Sequence, residues 1–224
     1  MWPELLLAGV LAGQTVQIHA GSLRFLALGD SYSVGEGVAA AQCWPRQLAQ
    51  RLRADGVDLG DPQIVATTGW TTDELSAGMD AATLVPPYDL VTLSIGVNNQ
   101  YRGRDTDNYR REFAALLQRA IALAGLRPQR VVVVSIPDWG ATAFGQGSGR
   151  DTAMIAAELD AFNAINRDEA RRHNVAWADV SAISRRAGSQ ARQLAEDGLH
   201  PSGAQYTAWL SQIQPLAQTA LSSP

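Results

Sequence analysis

Val131-Val132-Val133-Val134-Ser135-Ile136 is almost wholly apolar and β-branched, and Pro137 closes it. A strand apolar on both sides must be covered on both faces, which is the situation of a central strand in a parallel sheet with helices above and below. Four other short apolar runs have the same punctuated form: Phe25–Leu28 before Gly29, Pro62–Ala66 before Thr67-Thr68-Gly69, Tyr88–Ile95 before Gly96, and Val175–Val180. Helical patterns separate them. Trp44–Ala54 carries Leu48 and Leu52. Thr71 and Glu74 have capping-box spacing ahead of Leu75 and Met79. Thr106–Gly125 puts Phe113, Leu116, Leu117, Ala120, Ile121 and Ala124 on one face, and Ile155, Leu159, Phe162 and Ile165 mark a further helix. Ser202 with Gln205 predicts a capping box for the last one. Segments 32–37 and 137–150, and the stretch leading to Asp197, read as loops. Strand–helix alternation five times over predicts an α/β protein, three layers around a central five-stranded parallel sheet.

In a parallel sheet the carboxyl ends of the strands share one edge, where ligands bind. Ser31, Gly69, Asn98, Asp138 and the pair Asp197/His200 all follow predicted strands. A serine hydroxyl attacks only when a base takes its proton and a third group orients that base. Ser31 is therefore the candidate nucleophile, His200 the base, and Asp197, three residues earlier, its partner. The backbone N–H groups of Ser31 and Gly69 and the side-chain amide of Asn98 are candidate oxyanion donors. Each also has a plain structural reading: Ser31 and Asp197 as helix caps, His200 as a loop histidine, Gly69 and Asn98 as turn residues.

Composition narrows the chemistry. All 18 basic residues are arginine, so Schiff-base catalysis, a phosphate-loop lysine and a Ser-Lys pair are excluded. Cys43 is the single cysteine and reads as a buried helix residue, and His19, His173 and His200 have no metal-ligand spacing. No metal site is expected. A net charge of −4 with scattered arginines gives no case for nucleic acid. Gly145-Gln146-Gly147-Ser148-Gly149 has the wrong spacing for a dinucleotide loop.

Residues 1–20 read as a leader, either a packed helix or a signal peptide, ahead of one domain over 21–224; its apolar core is too short for stable membrane insertion. Cytoplasmic residence is expected with the leader retained, and a periplasmic or secreted location if it is a signal peptide.

Gly29-Asp30-Ser31, Gly69, Gly96-Val97-Asn98 and Asp197-Gly198-Leu199-His200-Pro201 resemble, in order, the four blocks of the SGNH (GDSL-type) hydrolases. The resemblance runs from about Phe25 to the last helix. It implies a flavodoxin-like α/β/α fold, a Ser31–His200–Asp197 triad, an oxyanion hole of Ser31, Gly69 and Asn98, and cofactor-free hydrolysis of carboxylic esters through an acyl-enzyme. The family usually has Asp where this chain has Asn99, which implies altered hydrogen bonding around the site. Small or medium acyl esters are the expected substrates, with Tyr32, Trp70, Tyr101, Pro137, Trp139 and Phe144 as candidate pocket walls, and Arg102 and Arg104 near enough to meet an anionic head group. An acyltransferase, thioesterase or lysophospholipase using the same triad, and a non-catalytic binding domain, are the competing readings.

Overall fold

The protein, seen in a computed structural model, is described over residues 21–222; the leader reading of residues 1–20 lies outside them. The valine run forms β4 (Val131–Val134), with all four side chains buried. Alongside it lie β1 (Phe25–Gly29), β2 (Gln63–Ala66), β3 (Leu90–Ser94) and β5 (Ala176–Ala178), all parallel and ordered β2-β1-β3-β4-β5. This is the flavodoxin-like order.

The long helices are α2 (Trp44–Ala54), α3 (Thr72–Ala81), α5 (Thr106–Leu123), α7 (Thr152–Arg172) and α9 (Gly203–Ser222). Helices α3, α5 and α7 pack together on one side, and α2 and α9 against each other on the other. The periodic face of α5 is buried through Phe113, Leu116, Leu117 and Ala120, and Asp105 caps the helix by accepting the Asn108 N–H at 2.7 Å. Each large apolar side chain buried in this way stabilises the fold by about 1.5–3 kcal/mol. Truncating one of them, such as Leu93 in β3, costs about 2–5 kcal/mol.

Glu74 returns to the Thr71 N–H at 2.8 Å, as its spacing predicts. The second predicted box is only half formed. Ser202 Oγ accepts from Gln205 N at 3.4 Å, but the Gln205 side chain donates to the Gln193 carbonyl, because the Ser202 N–H is already committed to that carbonyl.

Three short helices arise where loops were expected, α1 (Ser31–Val34), α6 (Ala143–Gly147) and α8 (Ser181–Ala187), and a fourth, α4 (Val97–Tyr101), directly after the Gly96 that stops β3. One or two turns carry no repeat for periodicity to detect. Cys43 is buried at the N-cap of α2, and burial raises its thiol pKa.

Candidate active site

The chain leaves β1 toward β2 on one side and then places β3 on the other side of β1. That reversal opens a crevice at the carboxyl ends of β1 and β3. Ser31 follows β1, and Asn98 follows β3.

The turn that presents Ser31 is tight. A Cβ on Gly29 would lie 2.1 Å from Ser33 Oγ and 2.7 Å from the Ser94 carbonyl, so only glycine lets α1 fold back over the strand end. Asp30 caps α1 by accepting the Tyr32 N–H at 3.1 Å. Burial pushes the Asp30 carboxyl up to about 7, although hydrogen bonds from the Tyr32 N–H and its own act the other way.

His200 comes from the loop before α9. Its Nε2 is 3.0 Å from Ser31 Oγ and its Nδ1 2.6 Å from Asp197 Oδ2. With Nδ1 protonated and donating to the carboxylate, Nε2 is left to accept the Ser31 hydroxyl proton. Asp197 Oδ1 accepts the N–H groups of Leu199 and His200 at 2.9 and 3.0 Å. No helix begins here for Asp197 to cap, since α9 starts at Gly203; the side chain that orients the base instead holds the turn leading to it. Burial raises the Asp197 pKa, but hydrogen bonds from the His200 ring and these two N–H groups outweigh it and hold the carboxyl below its ordinary range. The loop is closed by Ala195 N donating to the His200 carbonyl at 2.7 Å.

Gly69 has φ +86°, a left-handed conformation that a side chain would strain. Its carbonyl accepts from Arg102 Nη2 at 2.6 Å, and Arg102 also pairs with Glu74. Asn98 Nδ2 donates to the Trp70 carbonyl at 2.9 Å. Two bonds from α4 and its C-cap thus hold the 69–70 turn in place. An amide nitrogen carries two hydrogens, so Asn98 retains one donor beyond this bond. Arg102 and Arg104 form ion pairs with Glu74 and Asp73.

A cavity of about 220 Å³ opens at Ser31, His200 and Asn98. Its apolar walls are Tyr32, Tyr101, Trp139 and Phe144, together with Val97 and Leu199. The last two escaped sequence reading because they are ordinary aliphatic neighbours of Asn98 and His200 inside the motifs.

Trp70 and Pro137 do not line the cavity. The Trp70 indole lies on α3 over Gly78, where a Cβ would come within 2.1 Å of the ring. Pro137 is buried just beyond Ile136, whose N–H and carbonyl are both held by the Asn163 side chain. Asp138 also serves the scaffold: it accepts from Gly140 N at 2.9 Å and Arg185 Nε at 2.8 Å.

Asn99 is fully buried. It accepts the Thr72 N–H at 3.1 Å and donates to Thr72 Oγ1 at 2.6 Å, and the Thr72 hydroxyl donates onward to Glu112. Among the described residues no cluster of three or more His, Cys, Asp or Glu could hold a metal ion, and no helix is long and apolar enough to cross a membrane.

Fold and site together are those of a hydrolase of the three-layer α/β/α type. Residues 27–208 match the GDSL-like lipase/acylhydrolase family, and the chain belongs to it; the enzyme class is carboxylic ester hydrolase. No curated protein matches the sequence. Among solved structures, TesA is similar with a TM-score of 0.69 at 23% identity, over 88% of this chain and 99% of that one. A lipase/acylhydrolase from Enterococcus faecalis gives 0.67 at 18% identity, over 88% and 95%. Axe2, an acetylxylan esterase from Geobacillus stearothermophilus, gives 0.63 at 17% identity, over 91% and 96%.

Proposed function

We propose that the protein is a serine esterase acting on carboxylic esters of small or medium acyl groups. The observation that carries this reading is the hydrogen-bonded series Ser31–His200–Asp197, at 3.0 and 2.6 Å, opening directly onto an apolar cavity. Ser31 Oγ attacks the ester carbonyl carbon while His200 Nε2 takes the hydroxyl proton. The Asp197 carboxylate stabilises the imidazolium. The carbonyl oxygen, now an oxyanion, is met by the N–H groups of Ser31 and Gly69 and the remaining Asn98 donor. Collapse of this intermediate expels the alcohol, which leaves with the proton from His200. Water, activated by the same imidazole, then cleaves the acyl-enzyme and restores Ser31.

The cavity, about 220 Å³ and walled by six apolar side chains, supports a modest acyl group. The test is a paired assay of wild type and Ser31→Ala on p-nitrophenyl esters of increasing acyl length, with intact-mass detection of a fluorophosphonate adduct. Turnover and labelling are both expected in the wild type and absent from the variant. Equal turnover by Ser31→Ala would overturn the mechanism.

A further inference from the structure

The aromatic walls fall into two pairs. Tyr101 and Phe144 are 50% and 40% exposed and form the outer rim, whereas Tyr32 and Trp139 are 4% and 2% exposed while still lining the cavity. Tyr32 adjoins the nucleophile in sequence, and Trp139 is the other inner wall. A buried indole N–H needs an acceptor, and the Trp139 Nε1–H donates to Gln100 Oε1 at 2.8 Å. Gln100 is itself buried, and its Nε2 donates to the Glu158 carboxylate at 2.5 Å. The amide has a single consistent orientation here, because an indole N–H can only donate and a carboxylate only accept. Glu158 also receives Arg150 at 2.9 Å, and the Arg150 guanidinium lies over the Trp139 ring, 5.3 Å from its centroid. Tyr101 meets the ring nearly edge-on at 5.3 Å. The indole is therefore fixed at its N–H, on its face and along its edge, by groups from two segments of the chain, α4 and the turn before α7.

We propose that Trp139, locked by the Gln100–Glu158–Arg150 relay, sets the acyl-length limit of the pocket, with Gln100 as a positioning residue that never touches substrate. This rests on the esterase reading above. A wall free to change rotamer would yield to a longer chain, whereas one whose rotation breaks a buried hydrogen bond resists it. Rejection of extra methylenes is the expected result.

The experiment is the kcat/KM profile on p-nitrophenyl esters from acetyl to decanoyl for four proteins: wild type, Trp139→Ala, Gln100→Leu, and the exchanged pair Gln100→Glu with Glu158→Gln. Wild type should fall steeply beyond short chains. Trp139→Ala should raise the octanoate-to-acetate ratio by about tenfold or more, the scale at which apolar pockets discriminate single methylenes. Gln100→Leu should move the ratio the same way, leaving kcat on acetate within a few-fold. The exchanged pair rebuilds the relay with acceptor and donor swapped, and should return the wild-type profile; that rescue separates positioning from general damage to the fold. An unchanged ratio in Trp139→Ala, or failure of the exchanged pair to restore the profile lost in Gln100→Leu, overturns the proposal while the esterase stands. Absence of both ester turnover and fluorophosphonate labelling in the wild type would instead overturn the esterase reading.

Discussion

Asp197 holds His200 twice, through the backbone and through the ring: Oδ1 accepts the His200 N–H at 3.0 Å while Oδ2 faces ring Nδ1 at 2.6 Å. One carboxylate thus shapes the loop and orients the base, and the two tasks can be separated by substitution. Asp197→Asn keeps an acceptor for the turn but loses the charge that favours the imidazolium. It should cut kcat by about 10²–10⁴-fold with little change in Tm. Asp197→Ala should lose activity similarly and also stability, by about 1–2 kcal/mol. Ester kinetics beside thermal melts distinguish the two, and an equal melting loss in both variants would contradict the division.

Asn98 is expected to act on the transition state. Asn98→Ala should lower kcat by about 10²–10³-fold, the cost of removing one oxyanion donor, while KM changes little. A rise in KM at unchanged kcat would show that Asn98 binds the ground state instead.

Asp30 gives a pH dependence of stability. Its carboxyl titrates near 7 in the folded protein, against 3.8 when unperturbed. The folded state therefore favours the protonated form. The contribution is fully present below the unfolded value, is lost as pH rises through about 7, and amounts to about 4 kcal/mol across the interval. Asp197, shifted the opposite way, contributes only above its unfolded value and is lost in acid. Asp30→Asn retains an acceptor for the Tyr32 N–H but cannot ionise. Urea unfolding at pH 5 and pH 8 should show the variant gaining on wild type at the higher pH; parallel curves would place Asp30 at an ordinary pKa.

Asn99 is a local matter. In Asn99→Asp the Thr72 hydroxyl must choose between two carboxylates, so either Glu112 keeps only the Asn108 amide as side-chain hydrogen-bond donor, at 2.7 Å, or the new carboxylate faces the hydroxyl oxygen without a proton between them. A destabilisation of about 1–3 kcal/mol is expected, with turnover of a short ester changed by less than tenfold. Loss of several orders of magnitude in turnover would mean that this network reaches the reacting atoms.

The layered fold was legible because its signals are regional. Four consecutive valines need cover on both faces, and the α5 face repeats over 18 residues. Ser31 and Asn98 were legible because strand ends in a parallel sheet share an edge, whereas His200, which α8 separates from β5, was legible through its spacing from Asp197 in Asp197-Gly198-Leu199-His200-Pro201. The pocket walls were not. Trp70 and Trp139 each follow a strand by a few residues and look alike in sequence, yet a glycine on α3 receives one indole while Gln100 holds the other at the cavity. Such choices depend on partners far along the chain, which local pattern does not register. The half-formed box at Ser202 failed for the same reason, since a distant carbonyl had taken its N–H.

The hydroxyl of Ser31 and the imidazole that activates it stand 169 positions apart. The loop between them is closed only when α9 has docked on α2 and the sheet is complete from β1 to β5. No fragment of the assembly brings nucleophile and base together. During refolding, catalysis is therefore among the last properties to return, after helical signal and hydrophobic collapse, and its time course reports completion of the whole topology.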